Sequence, residues 1–154
     1  AVPLYKNRRI LSVNIFPVAT GLVVGSVSTI IAAFAIAKAF SLSQLVITSM
    51  ATKSITAAVA VEVAPIIHAN PALAAVFVVI TGMFGAMAGP YILSKFKIKN
   101  PLARGLSMGT VAHGQGTAQA LTEGELQGAA ASVAMCMTAL LVPLVAPLLL
   151  RLFV

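Results

Sequence analysis

Two stretches of this chain carry side chains that could do chemistry inside a hydrocarbon setting. The first, Met50 to Pro65, reads Met-Ala-Thr-Lys-Ser-Ile-Thr-Ala-Ala-Val-Ala-Val-Glu-Val-Ala-Pro and sets Lys53 and Glu62 in an otherwise apolar run. An ionisable side chain at the centre of a bilayer costs from about 3 kcal/mol on insertion scales to more than about 10 in simulation, so such residues usually mark a pathway or a site. The second, residues 109–120, reads Gly-Thr-Val-Ala-His-Gly-Gln-Gly-Thr-Ala-Gln-Ala, with glycines and polar groups where a plain spanning helix would have leucine. The two stretches are expected to face each other.

Lys53 is a candidate to meet an anionic substrate, and the competing account is a structural lysine that snorkels or pairs. Thr52, Ser54 and Thr56 can cap a half-helix starting near them, whose free N–H groups attract carboxylate. Broken helices in transporters place such termini at the membrane midplane; the competing account has these hydroxyls bonding back to helix carbonyls. Glu62 follows Lys53 by nine residues, about 180° of helical rotation and about 13.5 Å of rise, so on one helix the two point apart. It also lies in the turn before Pro65, where the helix dipole disfavours a carboxylate. A cation, a proton or a basic residue such as Arg104 is expected to stabilise it, which makes Glu62 a coupling-ion or proton candidate against a plain interfacial glutamate. His113 stands among Gly109, Gly114 and Gly116, glycines that let backbone approach a ligand closely, and Gln115 and Thr117 add hydrogen-bonding groups. It is a substrate or proton candidate, although a histidine in apolar sequence is also often a packing residue.

Other chemistries are excluded by spacing. Thr52-Lys53-Ser54 lacks the glycines of a phosphate-binding loop, and Gly114-Gln115-Gly116 is followed by Gln119 where a dinucleotide fingerprint needs its third glycine. His68, His113, Glu62 and Cys136 show no metal-ligand spacing, so neither metal nor cofactor is expected. Ser54, His113 and Glu62 have no nucleophile-elbow context, and an enzyme is not expected. Glu123 and Glu125, in Thr122-Glu-Gly-Glu125, have capping-box spacing ahead of the last apolar run and read as structural.

The elements that must position these residues are membrane helices. The chain has 60% hydrophobic and only 8% charged residues with a mean hydropathy of +1.04, against roughly 25% charged in a soluble domain. Ten Lys/Arg and three Asp/Glu cannot supply the polar shell of a soluble 154-residue core. The net charge of +7 gathers at Lys6/Arg8/Arg9 and Lys95/Lys97/Lys99/Arg104, as membrane topology would place it, and is not a nucleic-acid footprint. Cys136 is the single cysteine, so no intrachain disulfide forms, and it reads as a small buried hydrophobe. The apolar run after the basic start is too long for a signal h-region.

Spans are expected over residues 15–40, 72–93 and 125–153, the last kinked by Pro143 and Pro147. Gly21/Gly25 and Gly82/Gly85/Gly89 offer small faces for close helix approach. Cytoplasmic loops collect Lys and Arg, so the two basic clusters should share one side, which requires an even number of crossings between them. Three hydrophobic segments lie there, and the polar one, residues 45–64, is expected to re-enter without crossing. The fold class is all-α, a polytopic integral membrane protein with broken or re-entrant helices.

The blocks Thr52-Lys-Ser-Ile-Thr-Ala-Ala-Val-Ala-Val-Glu, Thr81-Gly-Met-Phe-Gly-Ala-Met-Ala-Gly-Pro and Ala103-Arg-Gly-Leu-Ser-Met-Gly-Thr-Val-Ala-His-Gly-Gln-Gly-Thr-Ala-Gln-Ala-Leu resemble the LrgB/CidB family, in this order and over nearly the whole chain. Members usually have further spans before this point, so residues 1–154 are expected to be a single membrane domain forming the C-terminal portion of such a protein. The resemblance implies a bacterial inner-membrane protein working with a small LrgA/CidA-type partner, holin/antiholin-like and linked to murein hydrolase control and autolysis. It also implies transport, since plastid relatives move glycolate and glycerate and bacterial ones have been connected to pyruvate-like carboxylates. Two functions are therefore expected in competition. One is a transporter or exporter of small organic acids, with Thr52, Lys53, Ser54, Thr56, His113, Gly114, Gln115, Gly116 and Thr117 at the substrate; the other is a holin-like module acting through pores, partners or self-association.

Overall fold

The basic N-terminal segment forms two short helices, α1 (Val2–Lys6) and α2 (Arg8–Val13), before the first long apolar helix, α3 (Ile15–Ala39). The computed structural model describes residues 2–153. Two further long helices follow, α6 (Pro71–Lys95) and α8 (Glu125–Phe153), and the three are long and apolar enough to cross a membrane. An Asn-Pro pair starts α6: the Asn70 side chain accepts from the Leu73 N–H, and Pro71 occupies a position whose N–H has no helical partner anyway. Asn100-Pro101 starts α7 (Pro101–Glu123) in the same way, with Asn100 accepting from the Leu102 and Ala103 N–H groups. Helix α8 stays helical through Pro143 and Pro147.

Between α3 and α6 the polar-punctuated stretch forms α4 (Gln44–Met50), a non-helical link, α5 (Ala57–Val63) and a 3-10 turn (Ala64–Ile67). Its two ends lie together: Gln44 and Thr48 share a surface hollow with Ile66, Ile67 and His68, against Pro147 and Leu150 of α8. Ile47 and Ile67 enter one core with Ala37 and Leu150, and the Ser49 hydroxyl accepts from the Asn70 N–H at 3.1 Å. The stretch therefore enters from one end of the bundle and returns to it, as the charge parity requires.

Helix α7 also turns back, which the sequence reading does not anticipate. His113 breaks it with φ 46° and ψ −123°. In a straight helix Arg104 and Glu123 would lie about 28 Å apart; here Arg104 Nε donates to Glu123 Oε2 at 2.7 Å. Gly116 lies so close to the Met108 carbonyl that an added Cβ would collide with it. The arms 101–112 and 114–123 thus form a second hairpin. It enters from the opposite end of the bundle, where Lys6 meets Glu125 at 2.9 Å and Arg104 bonds the Ile98 carbonyl beyond α6. Both basic clusters lie at this end.

Small residues allow the close packing. Gly105 and Gly109 face backbone carbonyls of Gln127 and Ala131 on α8, with no room for a side chain. Gly82, Gly85 and Gly89 of α6 meet Gln115, Ala112 and Met108, so this small-residue face packs within the chain.

Candidate functional site

The tips of the two hairpins meet midway along the long helices. His113, at the tip of α7, has Nε2 3.4 Å from the hydroxyl of Thr138, near the middle of α8. Its neighbours approach the middle of the other two: Thr110 lies 3.4 Å from where a Cβ on Gly25 of α3 would be, and Gln115 lies against Gly82 of α6. Thr56, Ala57, Val78, Val79, Gly82, His113, Gly114 and Gln115 line a recess of about 200 Å³ between the tips. Each hairpin covers part of the other's irregular backbone, which hydrocarbon would not tolerate bare.

Polar groups at the tips are buried. Thr52, Ser54 and His113 are 0%, 1% and 3% exposed. Thr52 donates to the Ser49 carbonyl, the helix back-bonding expected of such hydroxyls, while Ser54 Oγ accepts from Lys53 Nζ at 2.9 Å. Thr56 occupies the N-cap position of α5 with extended backbone but without a side-chain cap bond. The His113 ring lies near Ser54 and Lys53, and its buried Nδ1 has no hydrogen-bond partner. A non-glycine residue at positive φ stores about 1–3 kcal/mol, so packing around the ring must hold this turn.

Charge at the tips is one-sided. Among the described residues the ion pairs are Lys6–Glu125 and Arg104–Glu123, and Lys53 has neither acid. Glu62, the third acid, is exposed on α5 and lies away from the recess lining. Arg104, expected as one possible partner for Glu62, instead clamps Glu123 with two 2.7 Å hydrogen bonds. Glu123 consequently ends α7 rather than capping α8, and a bidentate tertiary pair overrides the local capping-box pattern. Glu125 does sit in the first turn of α8.

The structure brings Lys53, Ser54, Thr56, His113, Gly114 and Gln115 to the meeting tips, with Thr52 buried beneath them. Gly116 faces the first arm of its own hairpin, and Thr117 points to Met135 Sδ at 4.0 Å. Thr138 belongs to the site and gives no sequence signal, being with Ser132 one of two hydroxyls in an apolar helix. Cys136 is exposed on α8 rather than buried, because the adjacent helix face carrying Thr138 turns inward. No group of three His, Cys, Asp or Glu among the described residues is placed to hold a metal ion.

Three long apolar helices with two hairpins meeting between them define an all-α membrane protein with re-entrant elements. The chain belongs to the LrgB-like family, whose profile matches residues 1–152. It is 37% identical to the uncharacterized protein YwbG of Bacillus subtilis (strain 168) over 97% of this chain and 67% of the relative. It is 35% identical to the uncharacterized protein YxaC of the same strain, over 99% and 66%. Antiholin-like protein LrgB of Bacillus cereus (strain B4264) is 32% identical over 96% of this chain and 64% of that protein. The chain thus spans about two thirds of the length of these relatives. No solved structure matches it.

Proposed function

We propose that this chain is the core of an antiholin-like module of the bacterial cytoplasmic membrane that binds small organic acids between its hairpin tips and passes them across the bilayer. The observation that carries this is the convergence of Lys53, without a carboxylate partner among the described residues, with the buried Ser54 and His113 beside a recess at mid-depth. A cation beside the Ser54 hydroxyl and near His113 suits a glycolate-, glycerate- or pyruvate-sized carboxylate. By the positive-inside rule the end bearing both basic clusters is cytoplasmic. Glu62 serves in this reading as a proton or cation site reached from outside the recess. The name of the Bacillus cereus relative favours a second reading, an antiholin-like regulator of murein hydrolases acting with an LrgA/CidA-type partner or as a homo-oligomer.

The test is carboxylate uptake into proteoliposomes holding the complete protein and its small partner. Lys53→Gln keeps length and polarity but removes a charge-assisted hydrogen bond of roughly 1.5–3 kcal/mol, so affinity should fall about 10- to 150-fold. His113→Ala should also weaken uptake, and Glu125→Gln, in the exposed Lys6 pair, should not. Normal affinity in both tip variants would refute the shared carboxylate site and leave the regulatory reading.

A further inference from the structure

A groove lined by both hydroxyl and apolar side chains runs from the basic end and stops at Thr110 and Val111, just before His113. It is a cleft of about 540 Å³ between α3 and the first arm of α7. One wall carries Asn14, Pro17, Gly21, Gly25, Ser28 and Thr29; the other carries Asn100, Ala103, Ser107 and Thr110, with Leu102, Leu106 and Val111 adding apolar lining. Asn14, Pro17, Gly21, Gly25 and Ser28 recur every three or four residues, as do Asn100, Ala103, Ser107 and Thr110, so each set forms one stripe, and the stripes face each other over half the depth of the bundle. The mouth lies between Asn14 and Asn100, which Lys99 precedes in the chain, at the end of the bundle that carries both basic clusters. The inner end is Thr110, one turn before His113, against Gly25.

Two observations set this cleft apart from an ordinary seam between helices. Gly21 has nothing within 4 Å of an added Cβ, so the α3 wall is open there. Just beyond the cleft's lining, at the hairpin tip, His113 Nδ1 is buried without a hydrogen-bond partner. Ser28, Thr29 and Ser107 donate to their own helix carbonyls at 2.8–3.0 Å, which leaves oxygen lone pairs facing the groove for water to donate to.

We propose that this cleft is the hydrated route by which small anions reach the hairpin-tip site from the basic end. The inference rests on the carboxylate reading above and adds the path and its side. At about 30 Å³ per water, the cleft holds a three-carbon acid with several waters. Cationic groups at this end of the bundle raise the local concentration of anions, and the asparagine and hydroxyl groups replace part of their hydration along the way. The mouth faces the cytoplasm by the charge rule, so the path supplies the site with acids made inside the cell.

Accessibility tests this in the complete protein in sealed vesicles, on a Cys136→Ala background because Cys136 is exposed. Thiolate forms in water and not in hydrocarbon, so a charged thiol reagent added at the basic end should modify Gly21→Cys and Ser107→Cys about tenfold faster than Val24→Cys on the outer face of α3. A millimolar carboxylate such as glycerate should slow Ser107→Cys modification. Gly21→Phe, whose ring enters open space, should keep expression and melting behaviour while flux drops severalfold. Rates equal to Val24→Cys, or reaction with a lipid-partitioning maleimide alone, would show that acyl chains fill the cleft and overturn the proposal, as would normal flux in Gly21→Phe. Loss of uptake in Lys53→Gln with an unlabelled cleft sinks the route and spares the site. A labelled cleft with normal uptake affinity in Lys53→Gln and His113→Ala sinks the carboxylate site and spares the hydrated cleft.

Discussion

Separating Arg104 from Glu123 should loosen the α7 hairpin at its base while leaving its tip chemically intact. Arg104 Nε and Nη2 each lie 2.7 Å from a Glu123 oxygen, and the two side chains are 13% and 15% exposed. Arg104 also donates to Ser94 Oγ and to the Pro90 and Ile98 carbonyls at 3.0–3.3 Å, tying the hairpin to the end of α6. Breaking a buried pair by removing one partner costs about 3–5 kcal/mol. Arg104→Gln should approach about 3 kcal/mol, and Glu123→Gln somewhat less because an amide still accepts one hydrogen bond. The pair acts as a unit, so the double variant should lose little more than Arg104→Gln alone, with a coupling of about 1.5–3 kcal/mol. Unfolding in mixed micelles measures each corner of the cycle. The hydrogen bond from Arg104 holds the Glu123 carboxyl below the usual carboxylate range. A lowered folded-state pKa stabilises fully above the unfolded value of about 4.3 and is lost as pH falls through the folded value. Glu123→Gln should therefore flatten part of the acid limb of the stability profile and leave the slope near neutrality unchanged. Additive single effects, each under about 0.5 kcal/mol, would refute the clamp.

Cysteines placed at Lys6 and Lys97 should be labelled from the same side of the membrane, and opposite-side labelling would make residues 45–64 a crossing. Gly109→Ala drives a Cβ into the Ala131 backbone and should destabilise by about 1–3 kcal/mol, whereas Gly21→Ala should be neutral in the same unfolding assay. His113→Gly should preserve the turn at φ 46° while His113→Val, β-branched at positive φ, should lower the unfolding midpoint below that of the glycine variant.

The spans and the re-entry of residues 45–64 are legible because both rest on one-dimensional quantities, apolar length and the parity of basic clusters. The meeting of the two punctuated stretches is legible for a related reason: polar groups in hydrocarbon must find each other. The turn at His113 is not, because 106–121 is long enough to pass for a straight helix and its glycines suit close packing as well as a bend. Arg104 and Glu123 pair across 19 residues, a contact that exists only once the fold-back is known. Likewise the Thr122–Glu125 spacing points Glu123 to the start of the last helix, while its stronger partner, Arg104, lies across the hairpin. Gly116 and Thr117 belong to a motif whose leading half faces the recess while its trailing half is used for packing.

Because Gly82, Gly85 and Gly89 are covered by the first arm and tip of α7, the smooth side of α6 is unavailable to other helices. What α6 presents outward is a ridge of Val76, Ile80, Met83, Phe84 and Met87. A neighbouring helix must mesh with those bulky side chains at about 8–10 Å between axes, and cannot use the short-range backbone approach that glycine stripes allow. Recognition through α6 therefore depends on matched contour rather than generic adhesion. A change such as Phe84→Ala would alter which helices fit there without disturbing the fold beneath.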